Sequence, residues 1–465
     1  MGKYFGTDGF RGEANVTLNA NHAFQIGRFL GWYFSSPLSG CQEANHKTRV
    51  VIGKDTRRSS YMLEYAIVAG LTASGADAYM LHVTTTPSVS FVTRQDSFDC
   101  GVMISASHNP YQDNGIKLVN TMGEKVDEEM TDIIEAYIDH GIEGIRHYLP
   151  TLTGDDLPLA VGADIGCIVD YVAGRNRYIG YLISLATHTY KPYRVGLDCA
   201  NGASWSIAKA VFEALGAKTY VMGDTPNGVN INEGVGSTHV EALRDFVVRE
   251  GLDVGFAFDG DADRCIAVDE HGCEVNGDHI LYVLGKHLAS QNALVNNTVV
   301  TTIMSNMGLY KALDEAGIGY VQTTVGDRFV YENMVQNGHA LGGEQSGHII
   351  LKKYATTGDG ILTAIMLMEV IAKTKLPLSK LSSPVVMYPQ VCVNVRVLDK
   401  DGVLGHPQVQ AKWQEITQRL HGQGRILLRK SGTEPVVRVM VEADSRDVCL
   451  ALTEEMKQVI LSLGM

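Results

Sequence analysis

The chain has 465 residues, of which 45% are hydrophobic and 20% are charged, and its formal net charge is −13. This length predicts three or four domains, and the composition is typical of globular proteins with several buried cores. The acidic balance excludes a general affinity for nucleic acid or anionic membranes, which needs a basic surface, but permits a few arginines in a cleft that binds a small anion.

Targeting signals are missing from the sequence pattern. The opening MGKYFGTDGFRG lacks the apolar segment of a signal peptide, and Gly6 stands where a myristoylation site has Ser or Thr. No apolar run reaches the 18 residues of a membrane span. The eight cysteines are scattered through apolar segments without a C-x-x-C pair, as free thiols are. We expect a cytoplasmic protein with neither nucleic acid nor a membrane as partner.

One unit recurs three times along the chain: a β-branched run, a polar loop, an amphipathic helix, a glycine and a second short strand. The copies cover 49–88, 193–228 and 297–328. Their phrases GADAYM, GAKTYV and GIGYV align. Strands that alternate with helices of this length indicate βαβ units on a parallel or mixed sheet. The sequence therefore predicts three related α/β domains with mixed sheets.

The last part of the chain follows a different pattern, which predicts a C-terminal α+β domain. The predicted elements are a strand in 385–398, a helix in 406–420, two strands in 425–443 and a helix in 445–464. Ser445 is a suitable N-cap for the last helix. Residues 376–384 are predicted to be the linker before this domain. We expect four domains, with the bounds 1–158, 159–252, 253–375 and 376–465.

The first motif is ISASHNPYQDNGIK, residues 104–117, which follows the predicted strand GVMIS. Its Asn-Pro and Asn-Gly pairs indicate a tight loop. Ser107 stands beside His108, with Lys117 further along, so the serine could be a nucleophile activated by a nearby base. The alternative is a turn whose Ser and Asn side chains only cap backbone groups.

The second motif is DVGFAFDGDADRCIAVDEHG, residues 253–272, in which Asp259, Asp261 and Asp263 occupy alternate positions between two predicted strands. Clustered carboxylates repel one another unless a cation lies among them, and oxygen ligands favour Mg²⁺ or Ca²⁺ over zinc. An EF-hand is one alternative, but Arg264 stands where its glycine is required. The other is an acidic turn without a ligand. We expect this short loop to face solvent.

The third motif is LGGEQSGHI, residues 341–349. Its glycines allow a ligand to approach the backbone, while Glu344, Gln345, Ser346 and His348 present hydrogen-bond donors and acceptors that suit sugar hydroxyls. A glycine-rich turn without a ligand is the alternative.

The fourth motif is LLRKSGTEPVVRV, residues 427–439. Arginine pairs with phosphate through two hydrogen bonds, and small residues form a nest of backbone N–H groups around an anion. The donors of this motif are Arg429, Ser431, Gly432, Thr433 and Arg438. A hairpin with a basic, solvated rim is the alternative.

These four loops in this order, together with GTDGFRG near the start, resemble the α-D-phosphohexomutase superfamily over essentially the whole chain. The resemblance implies three related α/β domains and a C-terminal domain that resembles the TATA-binding-protein fold, arranged around a central cleft. The matching loops are the phosphoserine loop 105–110, the metal loop 259–264, the sugar loop 343–348 and the phosphate loop 429–435.

Residue roles follow from the same resemblance. Ser107 is implied to carry a phosphoryl group and to bind Mg²⁺ together with the three aspartates. Arg11 and Lys117 are implied to lie near that phosphoryl group, and Lys117 and His348 to transfer protons. His108 and Arg264 complete the implied catalytic set. Glu344, Gln345 and Ser346 are implied to bind the sugar.

Finer features resemble the branch of the superfamily that acts on glucosamine phosphates. They are Gln345, where the branch acting on mannose and glucose phosphates usually has methionine, and the phrases TPNGVNINEGVGSTH, VGDRFV and TTGDG. Two departures are Lys430, where proline is expected, and HVTTTPS at 82–88. The implied reaction interconverts glucosamine 6-phosphate and glucosamine 1-phosphate through a bisphosphate intermediate and supplies UDP-N-acetylglucosamine synthesis.

Three alternatives stay open at this point: the mannose and glucose phosphate branch, a phosphatase-type hydrolase, and a non-catalytic sugar-phosphate sensor. A hydrolase would leave the second phosphate site at 429–438 unexplained. The expected partners are the phosphorylated hexosamine, its bisphosphate intermediate and an activating kinase, and the expected assembly is a monomer or a homodimer.

Overall fold

The computed structural model describes residues 2–6, 8–40, 46–148, 152–430 and 435–464. The chain divides into two units, one of residues 1–304 and 318–383 and the other of residues 305–317 and 384–465. None of the described helices combines the length and the apolar character that a membrane span needs.

The first sheet lies in the first unit. Its strands, within the described residues, are β1 (Phe5–Gly6), β2 (Gly9–Glu13), β3 (Arg49–Lys54), β4 (Asp77–Val83), β5 (Cys100–Ile104), β6 (Asp113–Val119) and β7 (Ile168–Asp170). Their order is β1-β2-β6-β5-β3-β4-β7, in which β5, β3, β4 and β7 are parallel and the pairs that join β5, β6, β2 and β1 are antiparallel. The accompanying helices are α1 (Ala20–Tyr33), α2 (Arg58–Ala73), α3 (Thr86–Gln95), α4 (Glu128–His140), α5 (Ile142–Ile145) and α6 (Val172–Leu185).

Both faces of this sheet are covered, as its parallel centre requires. On β3, the side chains of Val50 and Ile52 join one apolar cluster, whereas Val51 between them joins another on the opposite face. Because neighbouring side chains of a strand point to opposite faces, each face has its own core. The rigid centre of the sheet therefore fixes the ends of β5 and β6, where the first motif lies.

The second sheet contains both strands of the metal loop. Its strands, among the described residues, are β8 (Arg194–Asp198), β9 (Lys218–Met222), β10 (Val254–Phe258), β11 (Cys265–Asp269) and β12 (Glu274–Val275), with helices α7 (Ile207–Ala214) and α8 (Glu241–Glu250). The order is β12-β11-β10-β8-β9; β10 is parallel to β8 and antiparallel to β11. All residues of β10 and β11 are buried.

The third sheet carries the sugar loop. Within the described residues its strands are β13 (Thr298–Thr302), β14 (Gly319–Thr323), β15 (Leu341–Gly343) and β16 (Ile349–Leu351), in the order β14-β13-β15-β16. The helices of this part of the chain are α9 (Gly277–Ser290), α10 (Met307–Glu315), α11 (Asp327–Asn337), α12 (Gly360–Thr374) and α13 (Leu378–Ser382). The last of these lies inside residues 376–384, the segment predicted to be a linker, and the boundary between the two units falls in the same segment, between Ser383 and Pro384.

The second unit has the predicted α+β pattern. It contains β17 (Gln390–Arg396), α14 (Lys400–Gly405), α15 (Pro407–Leu420), β18 (Arg425–Lys430), β19 (Val436–Glu442) and α16 (Arg446–Ser462). The described strands form an antiparallel sheet in the order β17-β19-β18. Ser445 caps α16, as predicted, by accepting a hydrogen bond from the N–H of Asp447. Helix α10 also belongs to this unit, where the N–H of Met307 donates to Glu442 Oε1 at 2.8 Å.

Sheet pairing confirms the predicted fold class and corrects two of the expected domain boundaries. The three repeats are the pairs β3–β4, β8–β9 and β13–β14, each of which is parallel. The boundary expected at 158 is wrong, because β7 follows it and still pairs with β4. The boundary expected at 252 is wrong as well, because β10 pairs with β8. Strand pairing is decided by contacts between distant segments, which a local pattern does not contain.

Candidate active site

Ser107 occupies a constrained position in the loop between β5 and β6. Its φ is 53°, in the left-handed region that residues with a β-carbon seldom adopt, and it is buried. The loop is fixed on both sides: the Ser107 N–H donates to Ser105 Oγ at 3.0 Å, and its carbonyl accepts from Arg57 Nη2 at 3.2 Å and Asn232 Nδ2 at 2.9 Å. The hydroxyl Oγ then donates to Asp259 Oδ2 at 2.5 Å. The fold thus places the hydroxyl of the predicted nucleophile in direct contact with the acidic motif.

The acidic motif forms the turn of the β10–β11 hairpin. Phe258 pairs with Cys265 at its base, so residues 259–264 form the loop. A strand–loop–strand excludes the helix–loop–helix of an EF-hand. The expectation that the loop faces solvent is wrong, because Asp259 and Asp261 are 0% exposed and Asp263 is 4% exposed. Carboxylate oxygens of all three aspartates lie within 4.8 Å of one another.

The hydrogen bonds around the aspartates leave oxygens open toward a cation. Asp261 Oδ2 accepts from Thr86 Oγ1 at 2.5 Å and from Lys117 Nζ at 2.8 Å, and Asp263 Oδ2 lies 3.2 Å from the same Nζ. Oδ1 of Asp261 and Oδ1 of Asp263 are buried and accept no hydrogen bond from the described residues, although His348 Nδ1 lies 3.8 Å from the latter. Buried carboxylate oxygens without partners are costly, and a divalent metal ion would satisfy them. The residues present therefore fit a divalent metal.

Charge in the cluster supports the same conclusion. Burial, together with the neighbouring carboxylates of Asp263 and Asp261, raises the pKa of Asp259 well above its ordinary value. Burial alone would raise the pKa of Asp263 as well, but the ammonium of Lys117 outweighs it and holds that pKa well below its usual range. Burial would lower the pKa of Lys117, yet Asp261, Asp263 and Asp8 hold it well above its ordinary value. Even with this ammonium and the nearby guanidinium groups of Arg11 and Arg264, the pKa of Asp259 stays raised, so the negative charge of the cluster favours a further cation.

His108, the neighbour of Ser107, lies near two arginines. Arg11 lies on β2 opposite Gly115 of β6, and its Nε, like that of Arg264, is buried without a hydrogen-bond partner among the described residues. His108 Nδ1 lies 3.3 Å from Ser107 Oγ. Burial, then the nearby Arg264 and Arg11, lower the pKa of His108 to about 4, so the imidazole is neutral at pH 7. Phosphoryl oxygens accept hydrogen bonds from Nε–H groups such as these two.

The third motif forms the turn between β15 and β16 and packs against the metal hairpin. The N–H of Cys265 donates to the carbonyl of Gly347 at 3.0 Å, and a β-carbon on Gly347 would lie 2.3 Å from the Cys265 carbonyl oxygen. Glycine is therefore required there. Glu344 Oε1 accepts from the N–H of Gly326 at 3.1 Å, and Ser346 Oγ is buried without a partner among the described residues. The turn thus places a hydroxyl that lacks a hydrogen-bond partner among the described residues beside the metal loop.

His348 is held between opposing influences. The N–H of Gly358 donates to Nε2 at 3.0 Å, which places the proton of the neutral ring on Nδ1, 3.8 Å from Asp263 Oδ1. Burial would lower the pKa of His348, but Asp263 and then Asp327 raise it to about 9. The carboxylates thus favour a second proton on the ring, whereas the Gly358 N–H favours an unprotonated Nε2.

Several residues at the site carried no signal that the sequence analysis used. Thr86 binds Asp261 from the first turn of α3, and Arg57 binds the Ser107 carbonyl from a buried ion pair with Asp55. Asp8 and Lys125 join the same cluster of charges. Asp8 stands in the phrase GTDGFRG, which served only as a mark of resemblance, and Thr86 stands in HVTTTPS, which was noted only as a departure from it.

The fourth motif lies in the second unit. Arg429 on β18 and Arg438 on β19 are directly opposite each other in the antiparallel pair. Burial and the nearby Arg438 lower the pKa of Arg429. Like charges placed opposite each other destabilise a sheet, so this pair is suited to bind an anion. Ser431, Gly432 and Thr433 lie outside the described residues.

Comparison with protein families matches four models along the chain. They are described as phosphoglucomutase/phosphomannomutase alpha/beta/alpha domain I, domain II, domain III and C-terminal domain, and they match residues 2–144, 176–272, 276–387 and 393–459. The second model includes the metal loop, in agreement with the sheet to which its strands belong.

Comparison with individual proteins finds similarity over the full length. A phosphoglucosamine mutase of Lachnospira eligens is 58% identical over 464 residues, which are 100% of this chain and 99% of the relative. Among solved structures, a phosphoglucomutase/phosphomannomutase family protein of Burkholderia thailandensis has a TM-score of 0.79 at 22% identity, covering 99% of this chain and 98% of its own. An N-acetylphosphoglucosamine mutase of Aspergillus fumigatus, solved in complex with GlcNAc-6P and magnesium, has a TM-score of 0.71 at 17% identity, with coverages of 99% and 96%.

Proposed function

Because the chain belongs to the phosphoglucomutase/phosphomannomutase family, we propose that it interconverts glucosamine 6-phosphate and glucosamine 1-phosphate through a phosphorylated Ser107. The protein is a phosphohexomutase, an isomerase that moves a phosphoryl group from one position of a sugar to another. The observation that carries the residue assignment is the hydrogen bond from Ser107 Oγ to Asp259, made within a buried cluster of three aspartates.

We assign Mg²⁺ as the metal, held by Asp259, Asp261, Asp263 and an oxygen on Ser107. All of these ligands are oxygens, which Mg²⁺ prefers, and a site with few protein ligands leaves positions for phosphate. When bound, the ion would stabilise negative charge on the oxygens of the transferring phosphoryl group. Oδ1 of Asp261 and Oδ1 of Asp263, which accept no hydrogen bond from the described residues, support this assignment.

The reaction consists of two phosphoryl transfers with opposite directions. In the first, the bond between Ser107 Oγ and phosphorus breaks and the free hydroxyl of glucosamine 6-phosphate forms a new bond to phosphorus, which gives the bisphosphate. Lys117 and His348 are the candidate proton-transfer groups: one would accept the proton of that hydroxyl and the other would supply a proton to Ser107 Oγ. After the bisphosphate reorients, Ser107 takes back the other phosphoryl group, and glucosamine 1-phosphate is released.

The remaining site residues bind and orient the sugar phosphate. The Nε–H groups of Arg11 and Arg264 are available to phosphoryl oxygens. We propose that Arg429 and Arg438, with Ser431, Gly432 and Thr433, bind the phosphate that is not being transferred. We propose that Glu344, Gln345 and Ser346 bind the sugar ring, and His108 orients Ser107 Oγ. We propose that a bisphosphate or a kinase first phosphorylates Ser107. We also propose a cytoplasmic location, which the free thiols of the described cysteines support.

The substrate assignment is tested by comparing three sugar phosphates. We expect kcat/KM for glucosamine 6-phosphate to exceed those for glucose 6-phosphate and mannose 6-phosphate by about ten- to a hundredfold, the effect of one charge-assisted contact to the 2-amino group. Gln345→Met should narrow this preference because it removes an acceptor. Faster turnover of mannose 6-phosphate by the wild-type protein would instead support the mannose and glucose phosphate branch.

The nucleophile is tested by the mass of the intact protein and by peptide mapping. Incubation with glucose 1,6-bisphosphate should add one phosphate at Ser107, and Ser107→Ala should lose both that adduct and turnover. Ser105→Ala is the matched control, since Ser105 Oγ binds the Ser107 N–H from the same loop. A phosphate that maps to Ser105 would contradict the assignment.

A further inference from the structure

Six charged or ionisable side chains form a closed ring around the site. Lys117 Nζ lies 3.2 Å from Asp263 Oδ2 and 3.2 Å from Asp8 Oδ2. Asp8 Oδ1 lies 2.9 Å from Lys125 Nζ, which lies 2.7 Å from Asp327 Oδ2. The ring closes through His348, whose Nε2 is 3.5 Å from Asp327 Oδ2 and whose Nδ1 is 3.8 Å from Asp263 Oδ1.

Basic and acidic members alternate around this ring. Its two halves differ in their surroundings: Lys117, Asp263 and His348 are at most 6% exposed, whereas Asp8, Lys125 and Asp327 are 16–29% exposed. The buried half contains both candidate proton-transfer groups and a candidate metal ligand. The outer half contains none of the residues that the sequence analysis assigned to the reaction.

Lys125 connects the two ends of the outer half. Its ammonium lies between the carboxylate that contacts Lys117 and the carboxylate that contacts His348. Its backbone is fixed on both sides: Lys125 forms a β-bridge with Val119, and Asp127 caps α4 by accepting from the N–H of Met130. The backbone that carries Lys125 is therefore held in place on both sides of the residue.

We propose that Lys125 is a positioning residue which, through Asp8 and Asp327, holds Lys117 and His348 in the relative geometry that the two phosphoryl transfers need. Without this ammonium, Asp8 and Asp327 would lose the positive charge that they share and would repel each other more strongly. Asp8 would then draw more strongly on Lys117 and on Arg11, which also pairs with it, and Asp327 on His348. This inference rests on the proposed function, because it concerns the groups assigned there to proton transfer.

Two other roles for Lys125 predict different results. If Lys125 only joins the parts of the chain that carry Asp8 and Asp327, its removal should lower the stability of the fold without changing turnover. If Lys125 binds the substrate directly, its removal should raise KM more than it lowers kcat. If Lys125 is a positioning residue, its removal should lower kcat with little effect on KM, because misplacement of a reacting group by about 1 Å costs on the order of a hundredfold in rate.

The experiment compares Lys125→Met with Lys125→Arg and with the control Lys352→Met. Lys352 is a half-buried lysine whose ammonium binds the main-chain carbonyl of Met334, outside the ring. We expect Lys125→Met to lower kcat by about ten- to a hundredfold with KM within about threefold of wild type. Lys125→Arg should restore most of the loss because it keeps the charge, and Lys352→Met should leave kcat unchanged.

A second variant keeps the test decisive if Lys125→Met does not fold, as judged by circular dichroism. Asp327→Asn removes the carboxylate between Lys125 and His348, and we expect a loss in kcat of the same size. In the double variant the two losses should not add, because both act through the same contacts. Wild-type kcat in either folded single variant would overturn the inference. Failure of wild-type turnover itself would instead overturn the proposed function.

Discussion

Arg57 Nη2 donates a hydrogen bond to the main-chain carbonyl of Ser107 at 3.2 Å, from a side chain that is completely buried. The same guanidinium pairs with Asp55, which is also buried and accepts from the Arg57 N–H at 2.9 Å. The unusual backbone conformation of the nucleophile is therefore fixed by an ion pair 50 residues away in the chain. Such a pair is sensitive to the loss of one partner.

The first prediction concerns this ion pair. Arg57→Met should lower the free energy of unfolding by about 3–5 kcal/mol, because it leaves the Asp55 carboxylate buried and uncompensated. Thermal unfolding should show a lower midpoint, and less phosphate should be taken up at Ser107. The neighbouring, exposed Arg58→Met is the control and should behave like wild type. Equal midpoints for the two variants would show that the pair contributes nothing.

The second prediction concerns the metal. Asp261→Asn should raise the Mg²⁺ concentration needed for half-maximal turnover by about ten- to a hundredfold, because it weakens a ligand and disturbs the hydrogen bonds that orient it. Activity titrated with Mg²⁺ after chelation measures this change. Asp269→Asn is the matched control, since Asp269 lies at the other end of β11, where it accepts from the N–H of His271. Full activity of the wild-type protein in chelator would refute the site.

The third prediction concerns the arginine pair of the C-terminal sheet. Arg429→Ala should mainly raise KM for the monophosphate, by an amount equivalent to about 1.5–3 kcal/mol, the contribution of a charge-assisted hydrogen bond. Steady-state kinetics separate KM from kcat. Lys430→Ala, which removes an adjacent cation bound to Asp401 at the surface, should change KM little. If the two variants have the same KM as wild type, residues 429–438 form a hairpin without a ligand.

The fourth prediction concerns the pH dependence of stability. Burial raises the pKa of Asp198 from 3.8 to about 6, although the N–H groups of Gly236 and Ala200 partly oppose the rise. Since the folded pKa lies above the unfolded one, this group stabilises the fold fully below pH 3.8 and loses that contribution as the pH rises through 6. At about 1.4 kcal/mol for each pH unit, the loss is about 3 kcal/mol.

The measurement compares thermal unfolding of the wild-type protein with that of Asp198→Asn between pH 4 and pH 7.5. The variant lacks the titration, so its deficit relative to wild type should be largest at low pH and should shrink as the pH rises. Asp253→Asn, which changes an exposed aspartate at the opposite end of the same sheet, is the matched control. A deficit for Asp198→Asn that grows with pH would contradict the assignment.

The sequence by itself determined the family, the four-domain fold class and the motifs of the site. Each motif is a short run whose residue types carry its chemistry, and each βαβ repeat is a local pattern of periodicity. For this reason the strand before Ser107, the hairpin around the aspartates and the cap at Ser445 could all be predicted. The structure brings Ser107, Lys117, the aspartates and His348 together, as the resemblance implied.

Only the tertiary structure decided which segments meet. Thr86 and Asp261 are 175 residues apart in the chain, and no local pattern links them. Contacts between distant segments also pair β10 with β8, which places the metal loop in the second sheet. Contacts of the same kind group α10 with the C-terminal sheet. Burial of the aspartates was also missed, because a polar loop looks exposed until other segments cover it. The contacts of Lys125 and Arg57 depend on packing between elements, so only the tertiary structure identifies these two residues as part of the site.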